Sequence, residues 1–107
     1  MYKNIVDELE SISEPDRVEG IKKYLKAIPG GYGNGDEFIG VRVPKLRNVS
    51  KKYFKTISLK DLSRLFSSKI HEHRLLGVFM LVSMFEKEKS DSKREKLVDF
   101  YLNHIQY

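Results

Sequence analysis

The sequence predicts an all-α fold, and three observations carry that prediction. Apolar residues recur at intervals of three and four through most of the chain, the prolines, glycines and serines that interrupt those stripes fall between them, and no run alternates as a half-buried strand does. The chain is 107 residues long, 40% hydrophobic and 33% charged, which suits one folded domain over residues 1–107 and is too short for two.

Each element follows from its own spacing. A first helix over residues 3–11 is marked by Ile5, Val6, Leu9 and Ile12. Ser13 reads as the N-cap of a second helix, with Pro15 and Asp16 in its first turn and Val18, Ile21, Tyr24, Leu25 and Ile28 as its apolar stripe. Pro29, Gly30 and Gly31 end it, and residues 30–40 hold too much glycine for a helix. Pro44 then opens a third helix, where its missing N–H costs nothing. Val43, Leu46, Val49, Ser50 and Tyr53 share one face of it; Lys45, Asn48, Lys52 and Lys55 lie opposite, flanked by Arg47 and Lys51. Ser58 caps a short helix over residues 59–66 that carries Leu59, Leu62, Leu65 and Phe66. The helix over residues 71–86 is apolar on nearly all sides, so it must be covered on more than one. A last helix over residues 91–106 places Leu97, Val98, Tyr101, Leu102 and Ile105 on one stripe.

Taken in pairs, these helices make about three antiparallel hairpins beginning near residues 3, 43 and 70, a period in the range of α-solenoids. The final apolar stripe runs to the chain's end with no stop signal, where a terminal repeat normally presents a polar face. The expectation is therefore the N-terminal portion of a longer protein, able to self-associate through its C-terminal helix.

Several function classes drop out. The absence of cysteine excludes disulfides, thiolate metal sites and cysteine nucleophiles, and fits a reducing cytoplasm. Residues 1–10 lack the apolar core of a signal peptide, and the longest apolar stretch, residues 75–85, falls far short of a bilayer's roughly 20 residues. The glycine-rich loop follows a helix and lacks a Gly-Lys-Ser/Thr ending, unlike a nucleotide-binding loop. His71 and His73 stand two apart, which does not aim both at one metal, so no metal site is expected and Glu72 reads as an acid suited to the helix dipole. No Ser/His/Asp set suggests itself, and neither a catalytic residue nor a cofactor is expected.

Charge is the informative feature. Net charge is +5, yet between Glu37 and Asp61 there is no acid, while Arg42, Lys45, Arg47, Lys51, Lys52, Lys55 and Lys60 supply seven bases. Removing those seven from the 20 Lys and Arg leaves 13 against 15 acids, so the rest of the chain is slightly acidic. A basic surface confined to one segment is the footprint of polyanion binding, and a solvated helix face is its plainer reading.

Residues 30–47, Gly-Gly-Tyr-Gly-Asn-Gly-Asp-Glu-Phe-Ile-Gly-Val-Arg-Val-Pro-Lys-Leu-Arg, followed by Ile70-His71-Glu72-His73-Arg74-Leu75-Leu76, closely resemble the DNA alkylation repair family of AlkD-like, HEAT-repeat DNA glycosylases. The Phe-x-Gly-Val-Arg-Val-Pro-x-Leu-Arg element is the specific part, and the likeness covers essentially the whole chain. It implies a HEAT-like superhelix whose concave basic surface holds duplex DNA and releases N3- or N7-alkylated purines. It also implies that the catalytic carboxylate and its neighbouring tryptophan lie beyond this segment, which has no tryptophan, so that the chain alone lacks glycosylase activity. Arg42 matches a family position that approaches the minor groove. Tyr24 matches a tyrosine near the same surface, although its place on an apolar stripe also suits core packing. The expected DNA-binding set is Tyr24, Arg42, Lys45, Lys51, Lys52 and Arg74. A non-catalytic helical scaffold that binds an acidic protein or RNA is the other reading.

Overall fold

The structure, a computed structural model, describes residues 1–18 and 37–104. From residue 19 onward the expected second helix, Tyr24 included, lies outside the described residues, as does Ile105. Within them the fold is all-helical: α1 (Tyr2–Ser11), a 3-10 turn (Pro15–Arg17), α2 (Val43–Tyr53), α3 (Leu59–Phe66), α4 (His71–Lys87) and α5 (Asp91–His104).

Helix α1 buries Ile5 and Leu9, one turn apart, against α2 and α3. Its end is closed by hydroxyls: Ser11 Oγ donates to the Glu8 carbonyl at 2.6 Å and Ser13 Oγ to the Glu10 carbonyl at 2.7 Å. Ser13 is thus a backward cap on α1 and does not cap the 3-10 turn, whose N-cap is Glu14.

The packed stripe of α2 is Leu46, Val49 and Ser50, with Tyr53 half-buried beyond it. Val43, expected on that face, is 43% exposed at the first helical position. Leu59 repeats the pattern at the start of α3, where Leu62 and Leu65 are fully buried. The expected cap of α3 is present: Ser58 Oγ accepts from the Asp61 N–H at 3.1 Å.

Helix α4 is the central element and packs against α2, α3 and α5. Its apolar circumference requires such cover, and Leu76, Met80 and Leu81 are the residues that vanish from solvent. Gly77 faces the Phe66 ring, and a Cβ there would meet the ring carbons at 3.4 Å, an ordinary contact. The first helices of the three expected pairs stack in order, α2 on α1 and α4 on α2, as a solenoid requires. Helix α5 closes over α4 with half-buried Leu97, Phe100 and Tyr101 and no fully buried residue. No described helix is long and apolar enough to cross a membrane.

Candidate nucleic-acid interface

The basic segment starts at a turn that two distant parts of the chain, residues 69–72 and Glu14, hold in place. Glu37 pairs with the α3–α4 connection through two backbone bonds, its N–H to the Lys69 carbonyl at 3.0 Å and the His71 N–H to its own carbonyl at 2.8 Å. Two residues on, the carboxylate of Glu72 accepts the backbone N–H groups of Ile39, Gly40 and Val41 at 3.2, 2.8 and 3.2 Å. From the other side the Glu14 N–H donates to the Gly40 carbonyl at 2.8 Å. Gly40 has φ +77°, and a Cβ would fall 2.2 Å from the Glu14 carbonyl oxygen, so the position admits only glycine.

Arg42 leaves this turn as the N-cap of α2, in an extended conformation that directs the chain into the helix. Its guanidinium grips Glu14 with both arms, Nε to Oε2 at 2.9 Å and a terminal nitrogen to Oε1 at 3.3 Å. Lys45, one turn along, stands 3.9 Å from the same carboxylate. Lys52 lies two turns beyond Lys45 on the same face, about 10.5 Å along the axis, and binds Glu8 of α1 at 2.6 Å. The Tyr53 hydroxyl donates to that same Glu8 oxygen at 3.1 Å. Three of the expected residues thus gather along the α1–α2 edge, each facing a carboxylate. Lys51 is exposed in the last turn of α2. Arg74 does not extend this edge: it is half-buried, and its guanidinium donates to the Ser68 carbonyl at 3.0 Å, bracing the α3–α4 connection. Arg47 lies over the Phe79 ring of α4 at 5.1 Å.

Protonation follows these contacts. The hydrogen bond from Arg42 holds the Glu14 carboxyl below its ordinary value; desolvation opposes this, and the charges of Arg42, Lys45 and Arg17 add to it. Glu8 holds the Lys52 ammonium above its ordinary value, first by hydrogen bond and then by charge. Burial pushes His73 down, with the charge of Glu72 opposing. At neutral pH the α1–α2 edge therefore consists of formed ion pairs whose cations stay accessible; the Arg42, Lys45 and Lys52 side chains are 53%, 46% and 59% exposed.

The two sequence elements singled out above, around Phe38–Arg47 and Ile70–Leu76, therefore meet at one structural joint. A family model described as DNA alkylation repair enzyme matches residues 5–107, a span that includes both elements and every described helix from α2 onward. The chain belongs to the DNA alkylation repair enzyme family. No curated protein and no solved structure matches it. Family membership gives the chain a role in DNA alkylation repair, and the joint at Glu72 brings the two stretches together.

The structure also forms two serine–histidine pairs that the sequence did not suggest. Ser63 Oγ and His104 Nε2 are 2.8 Å apart, and His104 Nδ1 lies 2.7 Å from the Phe100 carbonyl, which can only accept. That ring stacks on Phe100, with centroids 4.1 Å apart, and ties α5 to α3. Ser68 Oγ lies 3.0 Å from His73 Nδ1 and accepts the Ile70 N–H at 3.1 Å. The first pair joins two helices, and the second joins the α3–α4 connection to α4. Among the described residues no group of three His, Cys, Asp or Glu could hold a metal.

At the far side of α4, a groove of about 470 Å³ opens between α4 and α5, lined by Val78, Leu81, Val82, Phe85, Leu97, Val98 and Tyr101. The expected exposed stripe of α5 is divided there: Val98 and Leu102 are 42% and 62% exposed, while Leu97 and Tyr101 are half-buried against the core.

Proposed function

We propose that these residues form the DNA-holding part of a repair glycosylase that excises N3- or N7-alkylated purines, with the 37–42 turn and the basic edge of α2 laid along the duplex backbone. The observation that carries this reading is the acid-free run from Phe38 to Lys60 in a chain of the DNA alkylation repair family, with Arg42, Lys45 and Lys52 gathered on one edge. Phosphates compete directly for those cations. Exposed ion pairs such as Arg42–Glu14 and Lys52–Glu8 cost little to exchange, whereas each phosphate contact releases a counterion from the duplex. Arg42, at the head of α2, is the side chain suited to enter the minor groove, and the lysines track the backbone.

An alkylated purine already carries positive charge and leaves readily. Its excision asks only for a carboxylate and an aromatic face beside the sugar as positive charge develops there. Among the described residues Glu72 is the buried carboxylate, and its oxygens are committed to backbone N–H groups, while Glu8 and Glu14 are committed to bases. These three carboxylates therefore serve to hold the site together.

Fluorescence anisotropy of a labelled duplex, followed across a salt series, tests the binding half. The expected result is an affinity that falls steeply as salt rises. Binding that survives high salt and ignores nucleic-acid competitors would favour the scaffold reading instead. A base-release assay on methylated duplex tests the other half: no free base is expected, and a measurable rate would overturn it.

A further inference from the structure

We propose that Glu72 is the positioning residue for Arg42, setting the direction in which that side chain meets DNA; the inference rests on the DNA-binding reading above.

Glu72 is only 3% exposed, and the ion pairs among the described residues leave it without a Lys or Arg. A carboxylate withdrawn from water ordinarily requires a cation or a full set of donors. Here it takes the donors: three consecutive backbone N–H groups converge on it, with Ile39 reaching both oxygens at 3.2 and 3.3 Å. Its place in the first turn of α4 adds the favourable end of the helix dipole. Consecutive amides aimed at one anion make a nest, and the left-handed Gly40 is what lets them converge. A nest of this kind often receives a phosphate, but this one is filled from within by the protein's own carboxylate.

The location of the nest gives it a role beyond stability. Val41, its last member, is bonded to Arg42, and Arg42 is the N-cap from which α2 departs. Fixing the amides of residues 39–41 therefore fixes the origin of the Arg42 side chain and the axis of α2. Glu14 completes the alignment, because its backbone N–H holds the Gly40 carbonyl while its carboxylate holds the guanidinium. Arg42 is thus aimed by two acids, one gripping the turn behind it and one gripping its tip. Removing the carboxylate would orphan three backbone N–H groups, so the carboxylate stabilises the joint as well. What the carboxylate adds is direction: three bonds of defined geometry specify one path for the turn.

Two readouts test the proposal on the same 107-residue chain. The first is amide hydrogen exchange, in which Glu72→Gln should speed exchange at Ile39, Gly40 and Val41 at least tenfold relative to amides of α3 and α5. The second is a double-variant cycle with labelled duplex DNA. Glu72→Gln should weaken binding about tenfold in the wild-type background and less than twofold once Arg42→Ala is present, while its effect should add in full to that of Lys52→Ala. Circular dichroism at the assay temperature checks that each variant is folded. Glu72→Asp, which keeps the charge and shortens the reach, supplies a second variant and should lose affinity severalfold.

Equal losses with and without Arg42 would mean that Glu72 acts only through general stability, and would overturn the proposal. So would unchanged binding in a folded Glu72 variant. If the wild-type chain itself fails to bind duplex, the DNA-binding reading falls, and the exchange experiment still judges the joint: amides of residues 39–41 that stay protected in Glu72→Gln would refute the positioning role independently.

Discussion

The two sides of α4 are built by different means. On the side of the 37–42 turn, polar bonds between residues distant in sequence fix single atoms: Glu72 to three amides, Glu14 to Gly40 and Arg42, Glu37 to Lys69 and His71. On the α5 side, contact is made by apolar and aromatic surface, with Ser63–His104 as the cross-helix hydrogen bond, and a groove stays open between Val82, Phe85 and Val98. Area gives adhesion without direction, whereas a buried polar network gives direction and tolerates little change. The basic edge lies beside the directed side, where a surface that must match a duplex is best placed.

The largest effect should come from Gly40, with Gly77 of α4 as its comparison. Gly40→Ala places a Cβ against the Glu14 carbonyl in a left-handed conformation, which costs about 1–2 kcal/mol for the backbone alone and more for the clash. Urea denaturation should show a loss of several kcal/mol or no cooperative transition. Gly77→Ala, where the nearest neighbour is the Phe66 ring at 3.4 Å, should stay within about 1 kcal/mol of wild type because helix propensity offsets the contact. Comparable losses at both would erase the distinction between the sides.

Next in size is the core they share. Leu76→Ala should cost about 2–5 kcal/mol by the same measurement, since Leu76 is fully buried; Val82→Ala, half-exposed in the groove, should cost less than about 0.5 kcal/mol.

A pH series sharpens the comparison further. Burial depresses His73 below 6.5, so the unfolded chain takes up a proton before the folded one does. Stability should be level above that pH and decline as the pH falls from 6.5 toward the folded value. His73→Gln should flatten that part of the profile, and an unchanged slope would remove His73 as its source.

On the open side, the triple variant Val82→Ser, Val98→Ser, Leu102→Ser should leave the melting temperature nearly unchanged and reduce concentration-dependent self-association in sedimentation velocity. A wild-type chain that stays monomeric at high concentration would contradict the self-association expected of this face. The smallest effect is electrostatic: Glu8→Gln frees the Lys52 cation of the α1–α2 edge and should raise duplex affinity by about twofold or less.

Periodicity made the helices legible, and where a cap had one interpretation, as at Ser58, it made their starts legible too. It did not reveal which end of a stripe stays uncovered: Val43 and Leu59, each the first residue of its helix, sit exposed on nominally apolar faces. Ser13 was ambiguous for a different reason, because a serine between two helices can bond in either direction. The bases of the site were visible as a charge run. Their acidic partners were not, since Glu8 and Glu14 lie 44 and 28 residues from Lys52 and Arg42, and only the packing of α1 on α2 brings them together. Glu72 was the hardest to read. An acid in the first turn of a helix suits the dipole whether it faces water or the interior, and nothing local distinguishes the two. The one hint was its place in the second of two elements that together carry the family resemblance.

DNA binding by the basic edge is tested most directly by the salt dependence of duplex affinity for the wild-type chain beside a Lys45→Ala, Lys51→Ala, Lys52→Ala variant. A plot of log affinity against log salt should be steep for the wild type and flatter for the variant, by about 0.9 for each phosphate that the variant no longer neutralises. Parallel lines for the two proteins, or no binding by the wild type at low salt, would contradict the assignment of DNA to the basic edge of α2.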